Sequence, residues 1–537
     1  MQKNQILHFG GGKGKTDIVP PAKATKIYII IYRKNRPPAR PAPRLHNRKK
    51  ILHAFRGVST AAAKHGLKTK KNNLKFKEKT PLLCYNRITN PIKGEYSAGI
   101  CQKYGFRNDG GESVSEFEKY FATDEDTEKR ICEGIEKYRK GDFTVRLPEG
   151  VRGKARVKLK NHKFKFGCNC FMLGEIGDDP AKNAVYEKKI ADAFNMATLP
   201  FYWNANEPRE GHTRYGNDAE PIYRRPPIDR CIAFCEKYGI EPREHGLCYD
   251  DEFPDWIVGK SEDEVKICLA RRMREISERY ADKIPTIEVT NEMFKPTCKS
   301  PLYARSDYAE YCFGEARKYF PRNELVINEM PGYIWNGLGG GNDVYYTYIE
   351  RAKEHGAEID AIGMQYHIFP RREQYYEKTR LYYDARRLYK IMDNYARLAD
   401  KLQITEVTVP CYGTGSADEE LQADILEKLY SIWFSHENME QIIYWNLVDG
   451  YAYNAEPGDM SSGENYYYGG LIRFDMTEKP AYQRIKRLIR EVWTTDETPD
   501  IKDGEIAFRG YFGEYEITVN GQTRLVDLGE TGAVAKF

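Results

Sequence analysis

The sequence predicts an α/β protein built on a (β/α)8 barrel of the TIM type. Three observations lead there. Between residues 164 and 493, eight strand-like segments alternate with helix-like ones, more alternations than a simple doubly wound sheet needs. The strand-like segments are short and mostly apolar until their last residues, as strands buried on both faces are. Two of them end in a glutamate, Glu292 and Glu406, 114 residues apart, which suits three βα repeats of about 38 residues. In such a barrel the carboxyl ends of the strands face the mouth where chemistry takes place.

Taken in order, residues 1–115 read as a basic, disordered tail. Residues 1–90 hold 22 Lys and Arg against two acids, Asp17 and Glu78, giving +20. The whole chain carries +5, so the remainder carries −15 and the basic excess says nothing about the barrel. Gly10-Gly-Gly-Lys-Gly-Lys-Thr16 resembles a phosphate loop but fails as one: Phe9 stands where the first glycine belongs, and no strand precedes it. Residues 116–163 form a pre-barrel element. In it Thr123–Lys140 predicts a helix with acids early and bases late. Asp142–Leu147 and Ala155–Lys160 alternate apolar and polar residues and predict a hairpin.

The barrel spans 164–493. Its strands are expected at Phe164–Cys170, Met196–Trp203, Arg243–Tyr249, Thr286–Thr290, Glu324–Asn328, Ala361–His367, Leu402–Val407 and Gln441–Leu447. Helices are expected at 180–194, 227–238, 261–282, 303–319, 342–355, 383–399, 417–435 and 479–493. Residues 494–537 change character. Alternation over 505–528, with turns at Gly513 and Asn520-Gly521, predicts a small antiparallel β appendage.

Composition narrows the function classes. The longest apolar run near the start, Ile27–Tyr32, is too short for a signal-peptide core, and no 18-residue apolar run exists, so no membrane partner is expected. The 12 cysteines lack zinc-type spacing and read as reduced, buried thiols. No cofactor, no metal and no nucleic-acid partner is expected, and the chain is expected to be a monomer. Forty tyrosines provide ample surface for stacking on sugars, although core packing accounts for most of them.

The predicted strand ends carry Asn291-Glu292, Asn328-Glu329, Gln365 and His367, Glu406, Trp445 and Asp449. Burying several carboxylates together is costly unless a site uses them. Two glutamates on one mouth suit glycoside hydrolysis, one as acid/base and one as nucleophile or base. Sharing a pocket, they repel, which keeps one protonated beside an ionised partner. Asn291 would bond a sugar hydroxyl, and His367, on the same side as Gln365, would orient Glu406. Glu329 is the rival acid, since Asn328-Glu329 repeats the Asn-Glu pair.

These motifs resemble glycoside hydrolase family 10, the endo-1,4-β-xylanases, from about Phe164 to Trp493. The segments are Val289-Thr-Asn-Glu292, Ile404-Thr-Glu406, Gln365-Tyr-His367, Trp445 through Asp449-Gly-Tyr-Ala-Tyr453, and Phe194-Asn195 with the later Glu207-Pro208. Each is short; their order and spacing carry the resemblance. It implies retaining cleavage of xylan, with Glu406 attacking the anomeric carbon, Glu292 as acid/base, and carboxyl groups roughly 5–5.5 Å apart. The departures lie on the glycone side, the side of the sugar that the enzyme retains. Tyr202 stands near the place of the family's clamp lysine, Tyr249-Asp250 replaces its Trp-His pair, His245 agrees with its first histidine, and Tyr453 replaces its second mouth tryptophan. Substrate contacts are therefore expected from Asn291, His245, Asp250, Gln365, His367, Trp445, Tyr453, Tyr202 and Trp203. Asp251 joins them as a compensating acid.

The alternatives are hydrolysis of another β-linked plant polysaccharide, a carbohydrate-binding barrel without catalysis, and a metal-dependent hydrolase using His245, Asp250, Asp251 and His367. A polymer substrate implies export, whereas the thiols fit reducing surroundings and no leader is legible.

Overall fold

The structure, a computed structural model, describes residues 116–537 apart from 122–123, 178 and 338–342. The basic tail expected over 1–115 lies outside the described residues. Eight parallel strands close into a barrel: β3 Lys165–Asn169, β4 Met196–Pro200, β5 Glu241–His245, β6 Thr286–Asn291, β7 Glu324–Glu329, β8 Ala361–His367, β9 Lys401–Thr408 and β10 Met439–Tyr444, with β10 pairing back onto β3. Helices at Pro180–Ala193, Ile228–Tyr238, Glu262–Tyr280, Tyr308–Tyr319, Val344–Glu354, Ala385–Tyr395, Ser416–Ser435 and Pro480–Arg487 cover the outside. Every residue of β4 and β6 is buried, as a strand must be with helices on one face and barrel interior on the other.

Local chemistry sets the helix starts. Asp179 accepts from the backbone N–H groups of Ala181 and Lys182 ahead of Pro180, and Ser261 with Glu264 forms a reciprocal capping box ahead of Glu262. Three expected strands end early: β4 at Pro200 rather than Trp203, β5 at His245 rather than Tyr249, and β10 at Tyr444 rather than Leu447. Trp203 opens a short helix, Trp203–Asn206, in place of ending β4. Pro200 has no N–H to continue a ladder.

Strand register decides which side chains meet at the mouth. Asn291 lies beside Asn328, Gln365 beside Glu406, and His367 beside Thr408. Shifts of register occur between Glu288 and Thr290 and between Gly363 and Gln365, just before these positions. Such irregularities re-aim side chains at functional ends of strands.

The expected N-terminal hairpin is not formed. β1 Lys140–Arg146 pairs antiparallel with β12 Glu505–Tyr511 and parallel with β15 Val534–Lys536. β2 Ala155–His162 pairs with β11 Asp496–Glu497 and with β13 Gly513–Val519, which continues to β14 Gln522–Leu528. The two ends of the chain thus build two small sheets together, so 494–537 is no free-standing appendage. The physical reason is twofold. The connection Leu147–Lys154 is long and lacks a two-residue turn. Each strand also has its own apolar face to bury: Phe143 of the first sheet meets Tyr515 of the second at 5.9 Å between ring centroids. Beneath the barrel, Phe164, Phe166, Phe434 and Trp493 pack together, with Phe434 and Trp493 rings 4.3 Å apart. Among the described residues no helix is long and apolar enough to cross a membrane.

Candidate active site

A cleft of about 710 Å³ lies at the carboxyl ends of the strands. Glu292 and Glu406 both line it, as do Asn291, His245, Gln365, His367, Trp445, Tyr453 and Tyr202. Three side-chain amides connect the two glutamates. Asn328 Nδ2 donates to Glu406 Oε1 (3.2 Å) and to Asn291 Oδ1 (3.0 Å). Gln365 Nε2 donates to the same Asn291 oxygen and to Glu292 Oε1, both at 3.1 Å. Amides hold both carboxylates without adding charge.

Glu406 ends buried at 3% exposure on β9. His367 Nε2 lies 2.9 Å from Glu406 Oε2, and His367 Nδ1 lies 3.0 Å from Thr408 Oγ1. Burial lowers the His367 pKa, so the ring is neutral at pH 7. A neutral ring has one N–H: with Glu406 protonated, Nε2 accepts from Oε2–H and Nδ1–H donates to Thr408 Oγ1; with Glu406 ionised, Nε2–H donates to the carboxylate and Nδ1 accepts from the Thr408 hydroxyl. Burial pushes the Glu406 carboxyl up to about 8; His245 opposes this, and Glu288 and Glu292 add to it.

Glu292 follows β6 with φ +52°, a left-handed conformation that costs about 1–3 kcal/mol for a non-glycine residue and concentrates at functional sites. Tyr249 donates its hydroxyl to Glu292 Oε2 at 2.7 Å, and the Lys295 ammonium stands 2.6 Å from that same oxygen. Burial alone would raise the Glu292 pKa; the Lys295 charge, with the hydrogen bonds, holds it below the ordinary carboxylate value. Like-charge repulsion keeps one of the two carboxyls protonated, and the family resemblance implies that it is Glu292. Here the resting order is reversed, because a cation sits on Glu292 and none sits in hydrogen-bond contact with Glu406.

Below the cleft lies a buried charge group. Arg243 Nη2 binds Glu288 Oε2 at 2.5 Å, and His245 Nδ1 lies 2.7 Å from Glu288 Oε1. Burial opposes the His245 charge, but Glu288 outweighs it and raises the pKa, while Glu288 itself falls to about 2. When protonated, the ring donates Nδ1–H to Glu288 and Nε2–H to the Tyr202 oxygen 3.0 Å away. Trp445 packs edge-on against His245 at 5.2 Å and against Phe171 at 5.1 Å.

Two expected contacts lie outside the cleft. Trp203 is 1% exposed, packs on Phe253 and Trp256, and donates its indole N–H to Glu207 at 2.8 Å. Asp250 turns away and accepts from the Lys299 and Ser300 N–H groups and the Ser300 hydroxyl. Both side chains serve the loops, since the early end of β4 and a 3-10 turn at Asp250–Glu252 point them into protein. The rival acid Glu329 is fully buried and accepts from the Met293 and Met330 N–H groups, which ties two loops together and leaves it off the cleft.

The four residues weighed as a metal set do not converge. Asp250 binds residues 299–300, Asp251 pairs with Lys295, and His367 faces Glu406. Among the described residues the one metal-capable trio is His245, Glu288 and Glu406. Arg243 already bonds Glu288 there, and a second cation would have to displace it.

Tyr249, Lys295, Asn328, Arg224 and Arg225 belong to the site and were not singled out from the sequence as contacts. Lys295 had a faint signal, three residues after Glu292. Arg224-Arg225 sits between Tyr223 and Pro226 in a segment without periodicity, where nothing local points to the barrel mouth.

Comparison with known proteins agrees with this geometry. The profile of glycosyl hydrolase family 10 matches residues 166–488, more than half of the chain. An anti-sigma-I factor, RsgI6, of Acetivibrio thermocellus is 25% identical over 366 residues, 67% of this chain and 42% of the relative. An endo-1,4-beta-xylanase/feruloyl esterase of Xylanibacter ruminicola is 26% identical over 318 residues, 50% of this chain and 39% of the relative. The chain therefore spans less than half the length of these two relatives. Native xylanase 10B from Thermotoga maritima aligns at a TM-score of 0.48 with 20% identity, covering 61% of this chain and 95% of that one. Through the profile match across the whole barrel, this chain belongs to glycosyl hydrolase family 10.

Proposed function

We propose that this protein is a retaining endo-1,4-β-xylanase, cleaving internal bonds of xylan by double displacement. The observation that carries the reading is the amide chain Asn328–Asn291–Gln365, which holds Glu406 and Glu292 on one sugar-sized cleft. Glu406 attacks the anomeric carbon while Glu292 protonates the leaving oxygen; Glu292 then takes a proton from water, which releases the sugar from Glu406. His367 and Asn328 fix the nucleophile, Tyr249 and Gln365 fix the acid, and Trp445 offers an apolar wall to the sugar ring.

The pair holds a single proton between the lowered Glu292 pKa and about pH 8, where Glu406 ionises. The reactive form, with that proton on Glu292, is the minor isomer of the singly protonated pair. The alkaline limb of kcat/KM is therefore expected near pH 8.

The test is proton NMR of xylo-oligosaccharide hydrolysis. The β-anomer is expected first. Prompt release of the α-anomer would remove Glu406 as nucleophile. A digest of arabinoxylan against cellulose and mannan separates xylan from other β-linked polysaccharides.

A second reading is a carbohydrate-binding barrel without turnover. The match to an anti-sigma factor and the Lys295 cap on Glu292 favour it. Binding of xylan with no reducing ends released would establish it in place of the first.

A further inference from the structure

The cleft has a neighbour. A second cavity of about 420 Å³ adjoins it, and Arg224, Arg225 and Tyr453 line both. Two adjacent guanidinium groups at the junction of two sugar-sized spaces call for a reason.

Arg224 is 5% exposed and has φ +61°, held ahead of Pro226-Pro227. Its terminal nitrogens donate to Asn446 Oδ1 at 3.1 and 3.2 Å and to the Tyr451 carbonyl, while its Nε has no partner. Among the described residues no carboxylate lies within ion-pair distance of it. Arg225 stacks on the Tyr202 ring at 3.9 Å, and its ion pair with Glu252 is stretched to 3.9 Å. The acid that acts on Arg224, Glu464, reaches it only through the Asn446 amide, whose oxygen accepts from Arg224 and whose Nδ2 donates to Glu464 Oε2 at 2.8 Å. A cation removed from water and held off from its counter-ion binds an anion strongly. A guanidinium matches a carboxylate with two parallel N–H bonds. Tyr453, 53% exposed on the same rim, gives a flat face for a sugar ring.

Position says which sugar is read. Arg224 and Arg225 come from the second βα unit, and Arg224 leans on Asn446 and Tyr451 of the eighth, whereas Glu292 and Lys295 come from the fourth. The leaving group sits on the side of its proton donor. The arginines therefore face the part of the substrate that stays attached to Glu406.

We propose that Arg224 and Arg225 form the carboxylate-reading corner of a branch pocket, so that the protein prefers xylan bearing a uronic-acid side group on the retained side of the cleaved bond. This rests on the xylanase reading and names its substrate class.

The experiment compares xylo-oligosaccharides bearing a uronate branch with the same compounds after reduction of the carboxyl to an alcohol. The wild-type kcat/KM is expected to favour the acid by roughly 10- to 100-fold, the worth of hydrogen bonds to a charged group. Arg225→Gln should bring that ratio towards one, and Arg225→Lys should restore part of it. Equal wild-type rates on acid and alcohol would overturn the proposal and leave the xylanase reading standing. If neither is hydrolysed, the xylanase reading fails, and calorimetric titration of the same two compounds decides the branch pocket alone: tighter binding of the acid supports it and equal binding overturns it.

Discussion

The two ends of the barrel each hold a pair of carboxylates, and the contrast between them explains why one end is the site. At the bottom, Glu324 and Glu440 share the Gln403 amide, which donates to both at 2.6 and 2.7 Å. Lys401 lies across the same two groups. Burial, with Glu324 beside it, pushes Glu440 up to about 8, the same value as Glu406 at the mouth. The bottom also has the larger cavity, about 1160 Å³. Neither a displaced pKa nor cavity size therefore identifies the chemistry. What differs is the position along the strands. Glu324 and Lys401 begin their strands and serve packing, whereas Asn291 and Glu406 lie at or near strand ends, where loops form a cleft with aromatic and amide partners.

Removing carboxylates from each end in turn sharpens this contrast. Glu406→Ala takes away the nucleophile, and kcat on xylan is expected to fall by about 10⁴-fold or more with the fold intact by circular dichroism. A fall of less than tenfold would break the assignment. Glu292→Gln should cost about 10²- to 10⁴-fold on substrates with poor leaving groups and much less on activated aryl glycosides, which need no protonation. Glu440→Gln at the bottom should leave kcat/KM unchanged and alter stability by about 1–3 kcal/mol, read from urea unfolding. A large loss of rate there would erase the distinction between the two ends.

The smallest effect concerns Lys295. Its ammonium lowers the Glu292 pKa, so Lys295→Met should move the acid limb of kcat/KM to higher pH. Protonated Glu292 then becomes more common, and kcat near neutrality should hold or rise a few-fold. An acid limb that does not move would show that Lys295 does not set the proton's position.

The mouth was more legible than the ends of the chain. Glu292 and Glu406 could be named because each closes a short apolar run, and a strand leaves a periodicity a reader can count. Trp203 and Asp250 misled because sequence adjacency to β4 and β5 does not say when a strand stops; Pro200 and a 3-10 turn decide that. Arg224 stayed hidden because its partners, Asn446 and Tyr451, lie over 220 positions away, and Arg225 because its contacts with Tyr202 and Glu252 cross between separate loops.

By itself, then, the sequence determined the eight βα alternations, the two glutamates at strand ends and the apolar faces of the flanking strands. Those follow from hydrophobic periodicity, which is local. Only the tertiary structure decided that the two chain ends share sheets, that Lys295 caps Glu292, and that a pair of arginines lines the cleft. These depend on register and on charges meeting across long separations, and a one-dimensional pattern carries neither.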